Sequence, residues 1–428
     1  MSAYRFHVEN GLDLHFAGAP VVGPPAPKET DHVALLGLDF HGVKPDLAVA
    51  PGGRVAAGGV LWRDRTHPEI FFTAPVSGVV ADIHRGAKRQ LISVVIKRDG
   101  AAAKTFSDPG DDPAETRAWL LETGLWTALR ARPYGTVPHP KGNPVALFVT
   151  ATETSPLAPS PADVVALYED AFGEGLRTLS QLVSVPVVLC TSPGADFLGV
   201  PDRIRRADFS GSHAAALAGT HIDRIAPVGW RSAGPGNGLD GEAWQVGYQD
   251  VIAIGHARLT GQLWGERVVA LAGPMVAHPR LLRVGVGARV SDVAAGELSA
   301  GPVRLIAGNA LSGRAAFGPQ DYLAAHHTQV TALAENLPAD QGGTALGGRP
   351  GAVLPTPDLD RAWPFDIPVV ALLRALSVGD GETFKALGGL ALIEEDVAAL
   401  TFACPSKSEY GVLLRRLLDR LRKEETAS

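Results

Sequence analysis

Thiols are scarce: Cys190 and Cys404 are the only cysteines among 428 residues. Iron–sulfur clusters and many structural zinc sites are held by about four thiolates, so this chain builds neither from cysteine alone. So few cysteines also argue against a disulfide-stapled secreted protein. Long apolar runs are missing as well. A membrane-spanning helix needs about 20 mostly apolar residues. The best stretches, 367–373 and 268–276, are less than half that, and Pro274 interrupts the second. The N-terminal segment has no apolar signal core, so no secretory leader is expected. Neither sign of charge dominates: 39 basic residues stand against 45 acidic, a formal net charge of −6, with no basic block. That gives no electrostatic support to a nucleic-acid partner or to an anionic membrane surface. H-E-x-x-H, G-x-S-x-G and G-x-x-x-x-G-K-[ST] are all absent, which removes the main support for metalloprotease, α/β-hydrolase and P-loop chemistry.

What is there reads as a multi-domain globular chain. Hydrophobic residues make up 46% and charged residues 20%. At about 100–200 residues per domain, two to four domains are expected. The 49 glycines and 33 prolines foretell many turns and ordered loops. Residues 31–100 alternate as short strands, at 33–36, 55–61, 70–73, 79–83 and 92–96. Their punctuation by Pro51-Gly52-Gly53, Gly58-Gly59 and Ser77-Gly78 resembles the barrel-sandwich of lipoyl- and biotin-carrier domains. Carriers present an acylated lysine at a hairpin tip. The tip here, around Asp64-Arg65-Thr66-His67, holds Arg65, whose guanidinium cannot form that amide.

Asp112 and Pro113 open a helix that Gly124 closes, and a second short helix is expected over 125–130, before Pro133. Residues 144–272 look α/β. A buried strand over 145–149 is followed by a helix capped by Ser160 and started by Pro161. Val164, Leu167, Tyr168, Ala171, Phe172, Leu176 and Leu179 recur along it at helical spacing. A strand over 185–190 completes a β-α-β unit, and further strands are expected at 244–248 and 268–271. Residues 251–258 fit a helix or a strand. Residues 273–332 mix strands and short helices, 336–357 is a Gly/Pro-rich linker, and the tail from Pro364 is helical. Its last helix lines up Tyr410, Leu413, Leu414, Leu417 and Leu421.

Each candidate for chemistry has a plainer reading. Dinucleotide binding needs glycines directly after the first strand. Thr150–Pro156 has none, and Glu153 would repel phosphate. Gly234-Pro235-Gly236-Asn237-Gly238 reads as a surface turn. His213 and His221 lack a carboxylate at a metal-ligand offset and fit a structural loop. His326-His327 reads as a helix end, where imidazolium suits the dipole. Glu394-Glu395-Asp396 reads as a dipole-matched first turn, and Cys404 has no base nearby in sequence. Taken together, these residues point to a scaffold or a component of a larger complex.

Several ordered segments resemble one family: Gly11-Leu12-Asp13-Leu14; Phe72-Thr73-Ala74-Pro75 with Ser77-Gly78; Thr123-Gly124-Leu125-Trp126-Thr127-Ala128-Leu129-Arg130; Leu217-Ala218-Gly219-Thr220-His221; Tyr248-Gln249-Asp250-Val251-Ile252-Ala253; Leu271-Ala272-Gly273-Pro274; and Cys404-Pro405 with Glu409-Tyr410-Gly411. The resemblance is to the A subunits of the sodium-translocating NADH:quinone oxidoreductases, and it runs over almost the whole chain. It implies an α/β plus β multi-domain fold similar to the flavin-bearing subunit of respiratory complex I. The expected parts are a carrier-like barrel-sandwich at 1–110 without the acceptor lysine, a helical connector at 111–143 and a Rossmann-like domain at 144–264. A ubiquitin-like β-grasp (SLBB-type) domain at 265–335, a linker at 336–363 and a helical domain at 364–428 follow.

The resemblance further implies a peripheral subunit on the cytoplasmic side of the bacterial inner membrane. It would support electron transfer from NADH to ubiquinone coupled to Na+ export, with no complete catalytic site, cofactor or metal of its own. NADH, FAD, FMN, riboflavin and the iron centres would belong to other subunits, and the main partner would be the flavin-bearing integral-membrane subunit. Carried over by position, Leu36, Gly37, Asp39, Phe40 and Gly42, with Arg130, Arg132, Pro133 and Tyr134, would lie near the quinone. Phe40 and Tyr134 would flank its ring and Arg132 would donate to a carbonyl; ordinary interdomain packing is the competing reading of these residues. The family's aromatic- and Lys-bearing segment is replaced at 336–357, as in a divergent member. Two alternatives stay open: a stand-alone soluble binding or scaffold protein derived from this family, and a component like the C subunit of an Rnf-type complex. The latter carries two four-iron cluster motifs, which two lone cysteines oppose.

Overall fold

The computed structural model describes residues 4–100, 102–228, 241–335 and 352–427. The sequence-expected turn at 234–238 and most of the 336–357 linker lie outside the described residues.

Two small sheets form the barrel-sandwich. One joins Arg54–Val55, Gly78–Arg85, Leu91–Arg98 and His32–Leu36; the other joins Pro45–Leu47, Val60–Asp64 and Phe71–Thr73. The expected strand at 55–61 is two strands parted by the Gly58-Gly59 turn. Gly58 needs its positive φ of 81° there, which only glycine adopts freely. Trp62 and Phe72 stack at 5.1 Å in the core, with Val33, Leu61, Val80, Val94 and Ile96 around them.

The α/β domain is a six-stranded sheet in the order Tyr4–Val8, Arg205–Gly211, Val187–Thr191, Pro144–Ala151, Glu242–Gly247, Arg130–Arg132. The first five are parallel and Arg130–Arg132 runs antiparallel to its neighbour. Parallel strands are covered on both faces, hence their near-continuous apolar runs. Leu147, Val149 and Leu189 pack in the core shared with helices Glu169–Leu182 and Tyr248–Thr260. Phe148, Val188, Cys190 and Phe209 pack in the core shared with helix Ala218–Ile225. Helix Pro113–Thr123 starts as read, with Asp112 Oδ1 accepting from the backbone N–H groups of Ala114 and Glu115, and ends at left-handed Gly124.

Two local expectations fail, and one left open is settled. The helix over 125–130 is a single 3₁₀ turn, Leu125–Ala128, after which Leu129 is extended and Arg130–Arg132 joins the sheet edge. Pairing with Glu242–Gly247 outweighs local propensity there. The helix from Ser160 is two helices, Pro161–Val165 and Glu169–Leu182. It breaks where Tyr168 turns to pack against Trp264, ring centroids 4.9 Å apart. Residues 251–258, left open, are helical within Tyr248–Thr260.

The β-grasp sheet runs Arg314–Ala315, Val303–Ala307, Gln329–Ala334, Glu266–Ala272, Arg280–Gly285, Val21–Pro27, with the short helix Val290–Ala294 sharing its core. Five C-terminal helices, Pro357–Arg361, Val369–Val378, Gly381–Ala386, Glu394–Ala403 and Tyr410–Ala427, pack around Leu372, Leu373, Phe384, Leu400, Tyr410 and Leu414. The N-terminal segment is shared out. Tyr4–Val8 is an edge strand of the α/β sheet and Val21–Pro27 an edge strand of the β-grasp sheet.

Candidate functional site

In a doubly wound sheet, ligand crevices open at the carboxyl ends of strands where the winding reverses. Here that point lies between Pro144–Ala151 and Glu242–Gly247. A polar chamber of about 420 Å³ opens there, lined by Thr150, Thr152, Glu153 and Gly247–Gln249 among others. It adjoins a smaller cavity of about 130 Å³, walled by Leu35, Phe40, Pro75, Leu125, Val137, Leu263 and Trp264. Asp39, His41, Arg130, Asp250, Arg267 and His326 line both. An apolar slot therefore ends in a polar wall where the barrel-sandwich, α/β and β-grasp domains meet.

Each polar group is set by its element. Asp39 ends the 3₁₀ turn Gly37–Asp39 after strand His32–Leu36, and its Oδ1 accepts from Arg314 Nη1 at 2.8 Å. Its other carboxylate oxygen and Arg314 Nε are buried with no hydrogen-bond partner among the described residues. Asp250 lies in the first turn of helix Tyr248–Thr260 and pairs with Arg267. Burial pushes the Asp250 carboxyl up, against the pull of Arg267 and Arg130. Arg267 Nε also donates to Ala325 O at 3.1 Å, and its guanidinium lies over the Trp264 ring at 5.5 Å.

His326 and His327 are not at a helix end, which corrects the sequence reading: they close a turn between Leu323 and strand Gln329–Ala334. Arginine only donates, so the 3.2 Å contact between Arg130 Nη2 and His326 Nδ1 places a lone pair on Nδ1. That ring is neutral, and Nε2–H is its remaining donor. His327 Nδ1 accepts from the Ala324 N–H at 3.1 Å, so it is neutral too. Enclosure by protein, then the nearby Arg314 and Arg130, lowers the His327 pKa to about 3. Enclosure, and next the charge of Arg130, likewise holds His326 far below its usual value, although the ring is open to the chamber.

The structure brings together only part of the set carried over from the family. Asp39, Phe40 and Arg130 share the apolar cavity, while Leu36 is core beneath it. Gly37 and Gly42 line a separate groove on the outer side of the same loop. Arg132 points away, with Nε donating to Gln245 at 2.8 Å, Nη1 to Ala391 O at 2.9 Å and to Asp396, and Nη2 to Glu395 at 3.0 Å. Pro133 follows it through a cis peptide, and Tyr134 packs into the C-terminal helical core, away from Phe40. Phe40 instead meets Phe72 edge-on at 4.7 Å. The acidic first turn at 394–396 is thus an interdomain clasp: Asp396 and Glu395 hold Arg132, while Glu394 takes Arg415 and, at 3.2 Å, His41. Burial opposes the Glu394 charge, but these bonds hold its carboxyl far below the usual range. Asp250, Arg267 and His326 were missed as site residues. His326 had been read as a helix end, and for Asp250 and Arg267 the one signal was the Tyr248-Gln249-Asp250 segment, which carried no chemistry on its own.

Family models match along the chain: the NqrA N-terminal barrel-sandwich hybrid domain over 6–99, the NqrA second alpha/beta domain over 112–263 and the NQRA C-terminal domain over 268–317. The curated A subunit of the Na(+)-translocating NADH-quinone reductase from Pseudomonas aeruginosa is 42% identical, covering 97% of this chain and 99% of its own. The chain belongs to the NqrA family, the A subunits of Na+-translocating NADH-quinone reductases. The family member from Shewanella amazonensis is 39% identical over the same shares. NqrA membership agrees with the barrel-sandwich, α/β and SLBB-type parts seen in the fold. Among solved structures, an NAD+-reducing [NiFe]-hydrogenase aligns at 13% identity and a TM-score of 0.37, covering 53% of this chain and 47% of that one.

Among the described residues, no helix is long and apolar enough to cross a membrane, and no cluster of His, Cys, Asp and Glu could hold a metal.

Proposed function

We propose that this chain acts as the peripheral NqrA component of a Na+-translocating NADH-quinone reductase, supporting electron transfer from NADH to ubiquinone coupled to Na+ export. The end-to-end likeness to relatives of that name carries the reading. In it, the chain docks on the cytoplasmic side of the inner membrane against the flavin-bearing integral-membrane subunit. NADH, the flavins and the iron centres are handled by other subunits. The domain division proposed is the one the resemblance implies, with strands Tyr4–Val8 and Val21–Pro27 assigned to the α/β and β-grasp sheets.

We further propose that the cavity behind Phe40 takes the quinone ring. Its volume of about 130 Å³ is that of a ring-sized apolar pocket. Phe40 and Trp264 supply aromatic walls, and Arg130 and His326 Nε2–H supply donors for a carbonyl. Arg132, Pro133 and Tyr134 act behind it, fixing strand Arg130–Arg132 to the C-terminal helices. The test is titration of the purified chain with ubiquinone-1, followed by tryptophan quenching, with Trp264→Phe identifying the reporter. Loss of a charge-assisted hydrogen bond worth about 1.5–3 kcal/mol should weaken binding tenfold or more in Arg130→Gln. Binding by Arg130→Gln and Phe40→Ala as tight as that of the parent chain rules the site out.

A further inference from the structure

Composition shows no basic block, yet the fold builds one. On the outer side of the Gly37–Val43 loop lies an open groove of about 750 Å³. Lys44, Arg65, Arg85, Lys88 and Arg89 line it, brought in from a loop, a hairpin tip, a strand end and a turn. All five are exposed. None of their cationic groups has a carboxylate within 4 Å among the described residues, although the Lys44 backbone N–H donates to Asp64 Oδ1 at 3.2 Å. Arg85 Nη1 donates only to a backbone carbonyl, that of Arg89 at 3.0 Å. Of the two acids in the lining, Asp419 is already paired with Arg415 at 3.3 Å, which leaves Asp46. Lys88 and Arg89 both hold left-handed backbone, at φ 52° and 61°, a conformation uncommon for such residues. Partly exposed Phe40 and Leu47 give the groove an apolar floor, with Phe40 edge-on to the buried Trp62.

In a chain of net charge −6, five unpaired cations around one groove are a local field of the opposite sign. A flat anionic bilayer meets protruding cations, whereas a concave channel with an apolar floor fits an extended peptide. Alternate side chains of such a peptide point to rim and floor in turn. We propose that this groove docks an extended segment of alternating acidic and apolar residues from another protein of the assembly. The proposal rests on the chain being one of several subunits, and its test involves no quinone.

The probe is a fluorescein-labelled octapeptide of alternating Glu and Leu, titrated with the full chain by anisotropy between 25 and 200 mM salt, with Gln-Leu and Lys-Leu counterparts. The expected result is binding of the Glu-Leu peptide alone, weakening as salt rises. Lys88→Glu/Arg89→Glu should lose at least tenfold in affinity, while Arg203→Glu, an exposed reversal on the α/β domain, keeps it. Both altered sites are exposed, and unchanged circular dichroism verifies folding. No binding at low salt, equal binding by the double reversal, or equal loss in Arg203→Glu overturns the proposal. So does retention of the chain by phosphatidylglycerol vesicles, lost in the double reversal, without peptide binding; that result assigns the groove to lipid.

Discussion

Arg132 aims its whole guanidinium at protein. Its side chain is 1% exposed and that of Asp396 is fully enclosed, so the pair is a buried charge couple between the α/β sheet and the C-terminal helices. Removing one member strands the other, at a cost of about 3–5 kcal/mol. Arg132→Met should therefore lower the urea midpoint sharply, and adding Asp396→Leu should recover part of the loss; a double variant as unstable as the single one contradicts the couple. His221 gives a pH-dependent term. Its Nε2–H donates to Ala215 O at 2.8 Å, and its buried Nδ1 has no partner among the described residues, so a second proton has no acceptor. Burial lowers its pKa to about 4, against the hydrogen bond to Ala215, and Arg132 adds repulsion. Between about 4 and the ordinary value near 6.5 the unfolded chain binds more protons, so this contribution is complete above 6.5 and is lost as pH falls. Asp396, pushed up to about 6 by burial, acts in the opposite sense, its contribution declining as pH rises toward 6. The comparison that isolates His221 is unfolding free energy at pH 7.5, 6 and 5 for parent and His221→Gln. The gap between them should narrow on acidification, and parallel curves refute the assignment.

Helices Glu169–Leu182 and Tyr248–Thr260 cross at two glycines. A Cβ on Gly175 would strike the carbonyl of Val251, and one on Gly255 the carbonyl of Ala171. Alanine improves helix propensity by about 1 kcal/mol, but overpacking costs typically 1–3 kcal/mol. Gly175→Ala should therefore lower Tm despite its better propensity, by calorimetry or circular dichroism; an unchanged or raised Tm shows that the helices can separate freely. Elements whose signals are local were legible in the sequence. Asp112, Pro113 and Gly124 bound their helix as read, and the apolar run of Pro144–Ala151 announced a central strand. Elements settled by distant partners were not. Residues 125–130 looked helical until Arg130–Arg132 paired with Glu242–Gly247, and His326 looked like a helix end because Arg130, which makes its ring an acceptor, is far away in the chain. The proposed site was half legible for the same reason. Asp39, Phe40 and Arg130 came with the family likeness, whereas Asp250 and Arg267 became site residues only when the domains closed around them. Of the groove cations, Arg85, Lys88 and Arg89 are neighbours in the sequence, but Lys44 and Arg65 join them only in the fold.

At the scale of the molecule, the two proposed sites adjoin one loop. The quinone-sized cavity sits among three domains, and the Gly37–Val43 loop has that cavity on one side and the basic groove on the other. Early strands, meanwhile, are completed by distant ones. Among the described residues, Tyr4–Val8 has its only sheet neighbour in Arg205–Gly211, and Val21–Pro27 has its own in Arg280–Gly285. Domains ordinarily fold one after another as synthesis proceeds. Here Tyr4–Val8 waits for Arg205–Gly211, about half of the 428 residues, and Val21–Pro27 for Arg280–Gly285, about two-thirds. Proline-rich Val21–Pro27, poor in amide hydrogens and so a weak template for stray pairing, suits that long wait.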